Sequence, residues 1–291
     1  MAIDMSRLTQ GVVLPGEVSS QIWGDTVDNS AVMTASRQIS LPGAGVEIPV
    51  IVGEPVAGWV NETDPKPVSE HTLASKKIQA YKLAVIELFS NEFIRDLPTL
   101  YAELRRRLPA ALGREFDKTV YGVTPAPGDN FDTLAAAPEL ALGENVYTDL
   151  VAVHGSISEA GGELSHWLAS PKLRSQLLAA VDGFGRPLFT ADATTSNTVG
   201  QMLGSPIVKT SGLPADGPIG VAGDFAGSSV WGSVEGIKIK VSDEAPIEKG
   251  DGTVISMFSR NMVAVLAEIE VGFRVVDDQR FAKIAAAPAG E

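Results

Sequence analysis

At 291 residues, with 44% hydrophobic and 20% charged side chains, the chain has the composition of an ordered globular protein rather than of a disordered one. The absence of cysteine excludes disulfides, thiolate nucleophiles and cysteine metal sites. The net charge of −13, from 23 basic and 36 acidic residues, argues against a protein that grips nucleic acid, because such proteins normally present a basic surface.

The first 36 residues are polar and show no period, and they contain Gly11, Pro15 and Gly16. Such a segment is typical of an arm that lies on another surface and not of a core. Residues 15–23 can form a short helix after the Pro-Gly turn. We therefore predict an N-terminal arm over residues 1–36.

Residues 46–89 contain two long extended runs, 46–60 and 77–89, joined by a polar tip at 61–71 that holds two prolines. At about 3.3 Å per residue each run would reach roughly 40 Å, although typical strands stop after about 5–6 residues. An isolated two-stranded ribbon is marginally stable in water. We therefore predict a long hairpin over 46–89 whose outer half packs against a neighbouring subunit, in a chain built for assembly.

Residues 97–121 carry apolar side chains at spacings of three and four, the pattern of one helix face. Asp96 is a suitable N-cap, and Pro98 lies in the first turn, where its missing N–H is not needed. Pro109 should bend this helix without ending it, because the pattern resumes in phase after it. The apolar positions are Leu97, Leu100, Tyr101, Leu104, Leu108, Ala111, Leu112, Phe116 and Val120.

Arg105, Arg106 and Arg107 form the one dense basic cluster of the chain. We interpret this cluster as a solvated or ion-paired helix face and favour that interpretation over a nucleic-acid site. An acidic protein would suit the wall of a container that must not adhere to packed DNA, although acidity suits many other proteins equally.

A stretch rich in Pro, Gly and Ala over 123–145 predicts a domain boundary, and a mixed α/β segment follows it. Residues 146–160 have the pattern of an amphipathic helix, and 164–169 that of a short strand. Ser170 should cap a helix that begins at Pro171. Further strands are predicted at 207–209, 220–222, 234–241, 253–258 and 262–276.

The sequence indicates no catalytic, cofactor-binding or metal site. It lacks the G-x-S-x-G nucleophile elbow, the G-x-G-x-x-G dinucleotide fingerprint, the Walker A sequence, H-E-x-x-H and the EF-hand loop. The histidines, His71, His154 and His166, are too widely spaced to indicate a metal site, so structural or solvated roles are favoured. We therefore expect no enzymatic activity and no cofactor.

Association with a membrane is not indicated either. No stretch approaches the roughly 20 apolar residues that a spanning helix needs, and the N-terminus lacks the pattern of a signal peptide. We expect synthesis in the cytosol and no membrane anchor.

Several short strings, taken in order, resemble the major capsid proteins of tailed bacteriophages. Each string alone is weakly specific, but their order and spacing cover nearly the whole chain. The strings are Ala57-Gly58-Trp59-Val60-Asn61-Glu62, Pro67-Val68-Ser69, Lys82-Leu83-Ala84, Phe89-Ser90-Asn91-Glu92, Asp182-Gly183-Phe184-Gly185-Arg186-Pro187-Leu188, Leu203-Gly204-Ser205-Pro206-Ile207-Val208 and Gly223-Asp224-Phe225.

The resemblance implies an α+β tailed-phage capsid fold with an N-terminal arm, a long β-hairpin E-loop, a peripheral domain with a long spine helix, and an α/β axial domain. It places the E-loop at 46–89 and the axial domain at 132–226. The peripheral domain then consists of 37–45, 90–131 and 227–291, with a spine helix over about 97–121. The extreme C-terminus is left free to return to the axial domain.

The resemblance also implies a structural shell protein that forms pentamers and hexamers of an icosahedral phage head around double-stranded DNA, without sequence-specific binding. Its partners would be other copies of itself, portal and scaffolding proteins and a decoration protein, in a virion assembled in the host cytoplasm. The expected contacts between subunits are Trp59, Glu62, Lys66, Lys76, Lys77, Arg105, Arg106 and Arg107.

The family's isopeptide cross-link is not carried over to this chain, because no matched pair of Lys and Asn is evident. Lys66, Lys76 and Lys77 project from the predicted hairpin toward a neighbour, but ordinary surface lysines are the favoured interpretation. Two other functions stay open at this point. One is the shell of an encapsulin-type compartment, and the other is an oligomeric β-rich enzyme of unknown reaction.

Overall fold

The computed structural model describes residues 16–52, 58–61, 66, 72–90, 92, 97–143, 145–181, 189 and 198–286. Two short 3₁₀ turns, Phe258–Arg260 and Asp278–Arg280, flank the longest strand. The helices and strands are, in chain order, α1 (Gly16–Asn29), α2 (Ala31–Ala35), β1 (Arg37–Ser40), β2 (Val46–Val52), β3 (Thr72–Ile78), β4 (Tyr81–Ser90), α3 (Leu97–Val120), β5 (Glu139–Ala141), α4 (Val146–Glu159), β6 (His166–Ala169), α5 (Pro171–Ala179), β7 (Thr198–Met202), β8 (Ser205–Lys209), β9 (Gly220–Gly223), α6 (Phe225–Ser228), β10 (Ser229–Ser233), β11 (Lys238–Ser242), β12 (Pro246–Glu248), β13 (Val254–Ser256), β14 (Met262–Val275) and β15 (Phe281–Ala285).

The first sheet is built around β14, a strand of 14 residues. One edge of β14 pairs with β4 from Met262 to Val271, and the other edge pairs first with β11 and then with β10. β1 completes the sheet by pairing in parallel with β10. Alternate β14 side chains, from Val265 through Ile269 to Phe273, are buried, as expected for a strand with one face toward a core.

Helix α3 covers that buried face of the sheet. It spans Leu97–Val120, where the sequence predicts a helix over about 97–121, and it continues through Pro109. Ala111, which was also placed on the apolar stripe, is exposed. Each buried large side chain of the stripe contributes about 1.5–3 kcal/mol. Those buried are Leu104, Leu108, Leu112, Phe116 and Val120.

The second sheet has six strands in the order β5-β15-β9-β6-β8-β7. Helices α4 and α5 bury Leu150, Val153, Leu173 and Leu177 in an apolar cluster with this sheet. As predicted, Ser170 caps α5, with its side chain accepting a hydrogen bond from the backbone N–H of Leu173. The pairs β6–β8 and β5–β15 are parallel and the other pairs are antiparallel, so the sheet is mixed.

The predicted arm over 1–36 is wrong for the part that the structure describes. The helix expected at 15–23 is longer, Gly16–Asn29, and it packs on α3 with Ile22 and Thr26 fully buried. Helix α2 buries Val32 and Met33 in the same core. The error arose because small and polar residues dilute the apolar signal of these helices, although a few buried side chains anchor them. Residues 1–15 lie outside the described part.

The predicted hairpin over 46–89 is wrong in its second half. The hairpin partner of β2 is β3, in a register that runs from Val46 opposite Ile78 to Val52 opposite Thr72. The following strand, β4, turns away at residues 79–80 and joins β14 in the first sheet. A single run of β-forming residues therefore holds two strands with different partners, because alternation of apolar residues does not specify which strand is paired. Of the first run, β2 covers Val46–Val52, and residues 53–57 lie outside the described part.

The C-terminal segment is divided between the two sheets. The range 227–291, expected in the peripheral domain, supplies β10, β11 and β14 to the first sheet. Strand β15 lies instead in the second sheet, between β5 and β9. The return of the C-terminal residues was left open by the sequence, and this pairing shows where they go.

Candidate assembly interface

The β2–β3 hairpin pairs with no other strand among the described residues and forms a two-stranded sheet of its own. Its root is held by a small apolar cluster in which Leu41, Ile78 and Val230 are buried. Val46 and Ile48 of β2 pack against this cluster from the hairpin side. The root is thus fixed by burial.

Polar side chains also hold the root of the hairpin, through hydrogen bonds to the end of β14. The Arg274 guanidinium donates from Nε to the carbonyl of Lys77 at 2.8 Å and also hydrogen-bonds the Asp132 carboxylate. The Lys76 ammonium donates to the carbonyl oxygens of Val275 at 2.8 Å and Val276 at 3.3 Å. Lys76 Nζ also lies 3.8 Å from Asp132, so the hairpin and the end of β14 share one set of charges.

The loop that carries Asp132 is itself tied to the residues that follow the hairpin. Asn130 accepts a hydrogen bond from Arg274 at 3.1 Å and donates one to the side chain of Gln79 at 3.3 Å. The backbone N–H of Asn130 donates to the hydroxyl of Tyr81 at 3.2 Å. Gly128 permits this contact, because a Cβ there would lie 2.6 Å from the Tyr81 ring.

The described residues between β2 and β3, 58–61 and 66, are exposed. Trp59 has a relative exposure of 106%, the highest of the large apolar side chains found exposed in the described ranges, and its neighbour Val60 is 42% exposed. Lys66 is exposed as well. Large aromatic side chains commonly anchor protein interfaces, and a fully exposed tryptophan is costly unless a partner covers it. Glu62 lies outside the described residues.

Of the two lysines on β3 that were expected to contact a neighbour, one is exposed and the other is held by its own subunit. Lys77 is exposed, and its backbone carbonyl accepts the hydrogen bond from Arg274. Lys76 is engaged by its own chain, as described above. The adjacent positions have opposite roles because successive side chains of a strand point to opposite faces.

The arginine cluster on α3 is ion-paired within its own subunit. Arg105 lies 3.2 Å from the Asp25 carboxylate of α1, and Arg106 lies 2.7 Å from Glu103. Arg107 pairs with the same Glu103. Hydrogen bonding from Arg106, with help from Arg107, lowers the pKa of Glu103. This arrangement is the ion-paired helix face that was favoured over a nucleic-acid site.

Asp117 is a buried acid of the core. Burial raises its pKa from 3.8 to about 6, although hydrogen bonds from Ser30, Ala31, Val32 and Thr210 oppose the shift. The residue was not singled out from the sequence. Its position beside Phe116, next to the buried stripe of α3, is the signal that could have identified it.

The ion pair between Arg274 and Asp132 was also not predicted from the sequence. The available signal was weak: Arg274 is the only charged residue between Val271 and Val276, near the end of a strand that also carries Glu268 and Glu270. A charge in such a strand must find a partner when the strand is buried on both sides. The sequence does not reveal that the partner is Asp132, which is 142 positions away.

The described residues contain no group of three His, Cys, Asp or Glu side chains that could hold a metal ion. His154 lies on α4, and His166 lies on β6, where burial lowers its pKa. His71 lies outside the described part. Within that part no helix is both long and apolar enough to cross a membrane.

Comparison with known proteins places this fold. Residues 10–286 match the model of the Phage capsid family. The chain is 28% identical to a probable major capsid protein of Mycobacterium phage L5 over 96% of this chain and 90% of that protein. It is also 23% identical to a major capsid protein of Staphylococcus phage 80alpha, over 93% of this chain and 84% of that protein.

Solved structures agree with the sequence comparison. A chain from Mycobacterium phage Adephagia superposes with a TM-score of 0.71 at 20% identity, covering 90% of this chain and 91% of that one. A chain from the capsid of an empty GTA particle superposes with a TM-score of 0.64 at 14% identity, covering 99% and 96%. The predicted tailed-phage capsid fold is confirmed by these matches. This chain belongs to the phage capsid family.

Proposed function

We propose that this chain, a major capsid protein of a tailed phage, assembles with copies of itself into the pentamers and hexamers of an icosahedral head around double-stranded DNA. It is a structural protein and not an enzyme. The observation that carries the proposal is the β2–β3 hairpin, which leaves the body and exposes Trp59. A neighbouring subunit that covers this side chain would explain why the hairpin protrudes.

The hairpin supplies the proposed contact with the next subunit. Trp59 would be the apolar anchor, with Glu62, Lys66 and Lys77 as polar contacts around it. The arginines of α3 are ion-paired within the subunit, so at the interface they would form a charged rim together with their acidic partners. They are Arg105, Arg106 and Arg107. Lys76 would influence the interface through its contacts within its own subunit rather than by contacting a neighbour.

The two sheets correspond to the two proposed domains. The first sheet with α3 would be the peripheral domain, and the second sheet with α4 and α5 the axial domain, which meets neighbours around the five- and six-fold axes. The boundary of this axial domain would include β15 in addition to 132–226, because β15 pairs inside the second sheet.

The remaining partners follow from the same proposal. Portal and scaffolding proteins would act during assembly in the host cytoplasm, and a decoration protein would bind outside the finished virion. The net charge of −13 suits a wall that encloses DNA without adhering to it. The matches to phage capsid proteins favour this function over an encapsulin compartment or an oligomeric enzyme.

Electron microscopy of the purified chain tests the proposal. We expect thin-walled icosahedral shells, tens of nanometres across, formed by the chain alone or with a scaffolding protein. The Trp59→Ala chain should remain as soluble subunits under the same conditions. Small discrete oligomers of the unchanged chain, or a stable monomer at high concentration, would contradict the proposed function.

A further inference from the structure

We infer that Arg274, Asp132 and Lys76 are positioning residues that set the direction in which the β2–β3 hairpin leaves the body. They would influence assembly through that direction and not by touching a neighbouring subunit. The inference rests on the proposed function, because the direction of the hairpin matters only if its outer part must meet another copy of the chain.

The Arg274 guanidinium is the centre of this joint. It connects the hairpin strand, through the Lys77 carbonyl, to the loop that carries Asn130 and Asp132. Its side chain is only 12% exposed, so these hydrogen bonds are largely shielded from water. A planar group with donors at fixed angles holds three segments in one relative orientation, which a flexible ammonium cannot do.

The hairpin is oriented relative to β14, the central strand of the first sheet, which is paired on both edges. Arg274 lies on β14, opposite Val230 of β10. The Asp132 carboxylate accepts from the backbone N–H of Val275 at 3.1 Å, and the Asp132 N–H donates to the carbonyl of Phe273 at 3.0 Å. The loop therefore cannot shift without breaking hydrogen bonds to β14. Through this loop and Arg274, the hairpin is held in a fixed orientation relative to β14.

Lys76 closes the joint on the other side of β3. Its ammonium donates hydrogen bonds to the carbonyls of Val275 and Val276. The next residue of β3, Lys77, provides the carbonyl that Arg274 binds. Asp278 also faces the ammonium, and its pKa is raised by burial and by Asp132, with Lys76 opposing. Two consecutive residues of β3 are thus clamped to the end of β14, one by its side chain and one by its backbone.

The apolar root alone would not fix a direction. Leu41, Ile78 and Val230 hold the hairpin on the body, but apolar contact is not directional, whereas hydrogen bonds weaken when their angle changes. A strand of seven residues extends about 23 Å, so a rotation of about 10° at the root displaces its far end by about 4 Å. Such a displacement exceeds the shape tolerance of a well-packed interface.

The absence of cysteine permits a direct measurement of the hairpin direction. We would introduce Lys66→Cys on the hairpin and Lys240→Cys on β11, and attach a donor and an acceptor dye. Single-molecule energy transfer at picomolar concentration keeps the subunits unassembled. The unchanged joint should give one narrow distribution of distances.

Substitutions in the joint should change that distribution. We expect Arg274→Met to broaden or shift it, Arg274→Lys to have an intermediate effect, and Lys76→Met to broaden it as well. Lys77→Met is the matched control for hairpin direction, because only the backbone carbonyl of Lys77 takes part. Identical distributions for Lys76→Met, Lys77→Met and the unchanged chain would overturn the inference. Lys76→Met matters most here, since Lys76 is 39% exposed and its removal should not prevent folding.

A second measurement links direction to assembly. The concentration at which shells appear should rise about tenfold for Lys76→Met, with little change in the urea midpoint of unfolding. Shell formation at the original concentration despite a broadened distribution would overturn the role in assembly. If the unchanged chain forms no shells, the proposed function fails, while the distance distributions still decide whether the joint sets the hairpin direction.

Discussion

The Ser30 hydroxyl donates a 2.6 Å hydrogen bond to the carboxylate of Asp117, which lies 87 positions later in the chain. The same carboxylate accepts from the backbone N–H groups of Ala31 and Val32, so it caps α2 from a neighbouring helix. The Thr210 hydroxyl, in the loop after β8, donates to it at 3.3 Å. One buried charge therefore joins α2, α3 and a loop of the second sheet.

The stability of the subunit should depend on pH through Asp117. Burial raises the folded pKa from 3.8 to about 6, so the folded state binds the proton more tightly than the unfolded state. The contribution of this group is then fully present below about pH 3.8 and is lost as the pH rises through about 6. The complete effect is about 3 kcal/mol, at 1.36 kcal/mol for each unit.

The measurement compares the unchanged chain with Asp117→Asn, which has no titrating group at this position. Urea unfolding at about pH 7.5 and about pH 5 should show the unchanged chain gaining about 1 kcal/mol relative to the variant at the lower pH. Other carboxylates titrate in both proteins and cancel. A constant difference at the two pH values would mean that the folded pKa is not raised.

Two helical glycines should respond oppositely to an added methyl group. A Cβ at Gly113 would lie 3.1 Å from backbone atoms of Asn29 and Ser30, where α1 meets α2, whereas a Cβ at Gly24 meets nothing within 4 Å. We expect Gly113→Ala to destabilise by about 1–3 kcal/mol and Gly24→Ala to stabilise by about 0.5–1 kcal/mol. Thermal unfolding of both variants tests the expectation, and equal shifts in Tm would contradict it.

The buried stripe of α3 can be tested with two adjacent residues. Leu112 is 2% exposed, whereas Ala111 is exposed. Leu112→Ala should cost about 2–5 kcal/mol through the cavity that it leaves. Ala111→Ser should change the free energy of unfolding by about 0.5 kcal/mol or less. A comparable loss in both variants, measured by urea unfolding, would show that the helix is rotated about its axis.

Assembly should change the fluorescence of Trp59. Of the other tryptophans, Trp167 and Trp231 are buried, and the ring of Trp23 lies 6.1 Å from that of Trp231. Covering the exposed Trp59 by a neighbour should shift the emission to shorter wavelength when shells form. Trp59→Phe should remove most of that shift. An emission maximum that does not move during shell formation would show that Trp59 stays in water.

The elements that the sequence predicts well are those whose signal is local. The spacing of apolar residues identifies α3, and Ser170 followed by Pro171 identifies the start of α5, because a cap and a first-turn proline act within one helical turn. The resemblance to tailed-phage capsid proteins extends over the whole chain and is confirmed by the comparisons.

The errors concern the partners of strands and two helices that have few apolar side chains. The run 77–89 is extended, as predicted, but β3 pairs with β2, while β4 pairs with β14 far away in the sequence. Helices α1 and α2 looked like an arm because their anchors, such as Ile22 and Val32, are few. Pairing across long separations depends on the rest of the fold, and one strand's pattern cannot specify it.

The predicted contacts between subunits also differ in whether the sequence carries a local signal for them. Trp59 stays a predicted contact, and its exposed side chain is consistent with that prediction. Lys76 and Lys77 could not be distinguished, since the alternation of a strand gives two faces but not which face meets the body. Arg274 and Asp132 needed the tertiary structure.

The order of the strands has a consequence for synthesis. β14 is the centre of the first sheet, and β15 is inserted between β5 and β9 of the second, yet each is synthesised after all the other strands of its sheet. Neither sheet can close on a nascent chain, and a polypeptide that terminates before Phe281 lacks an interior strand. Prematurely terminated products would thus be unable to adopt the native subunit, which keeps them out of the particle without any dedicated proofreading.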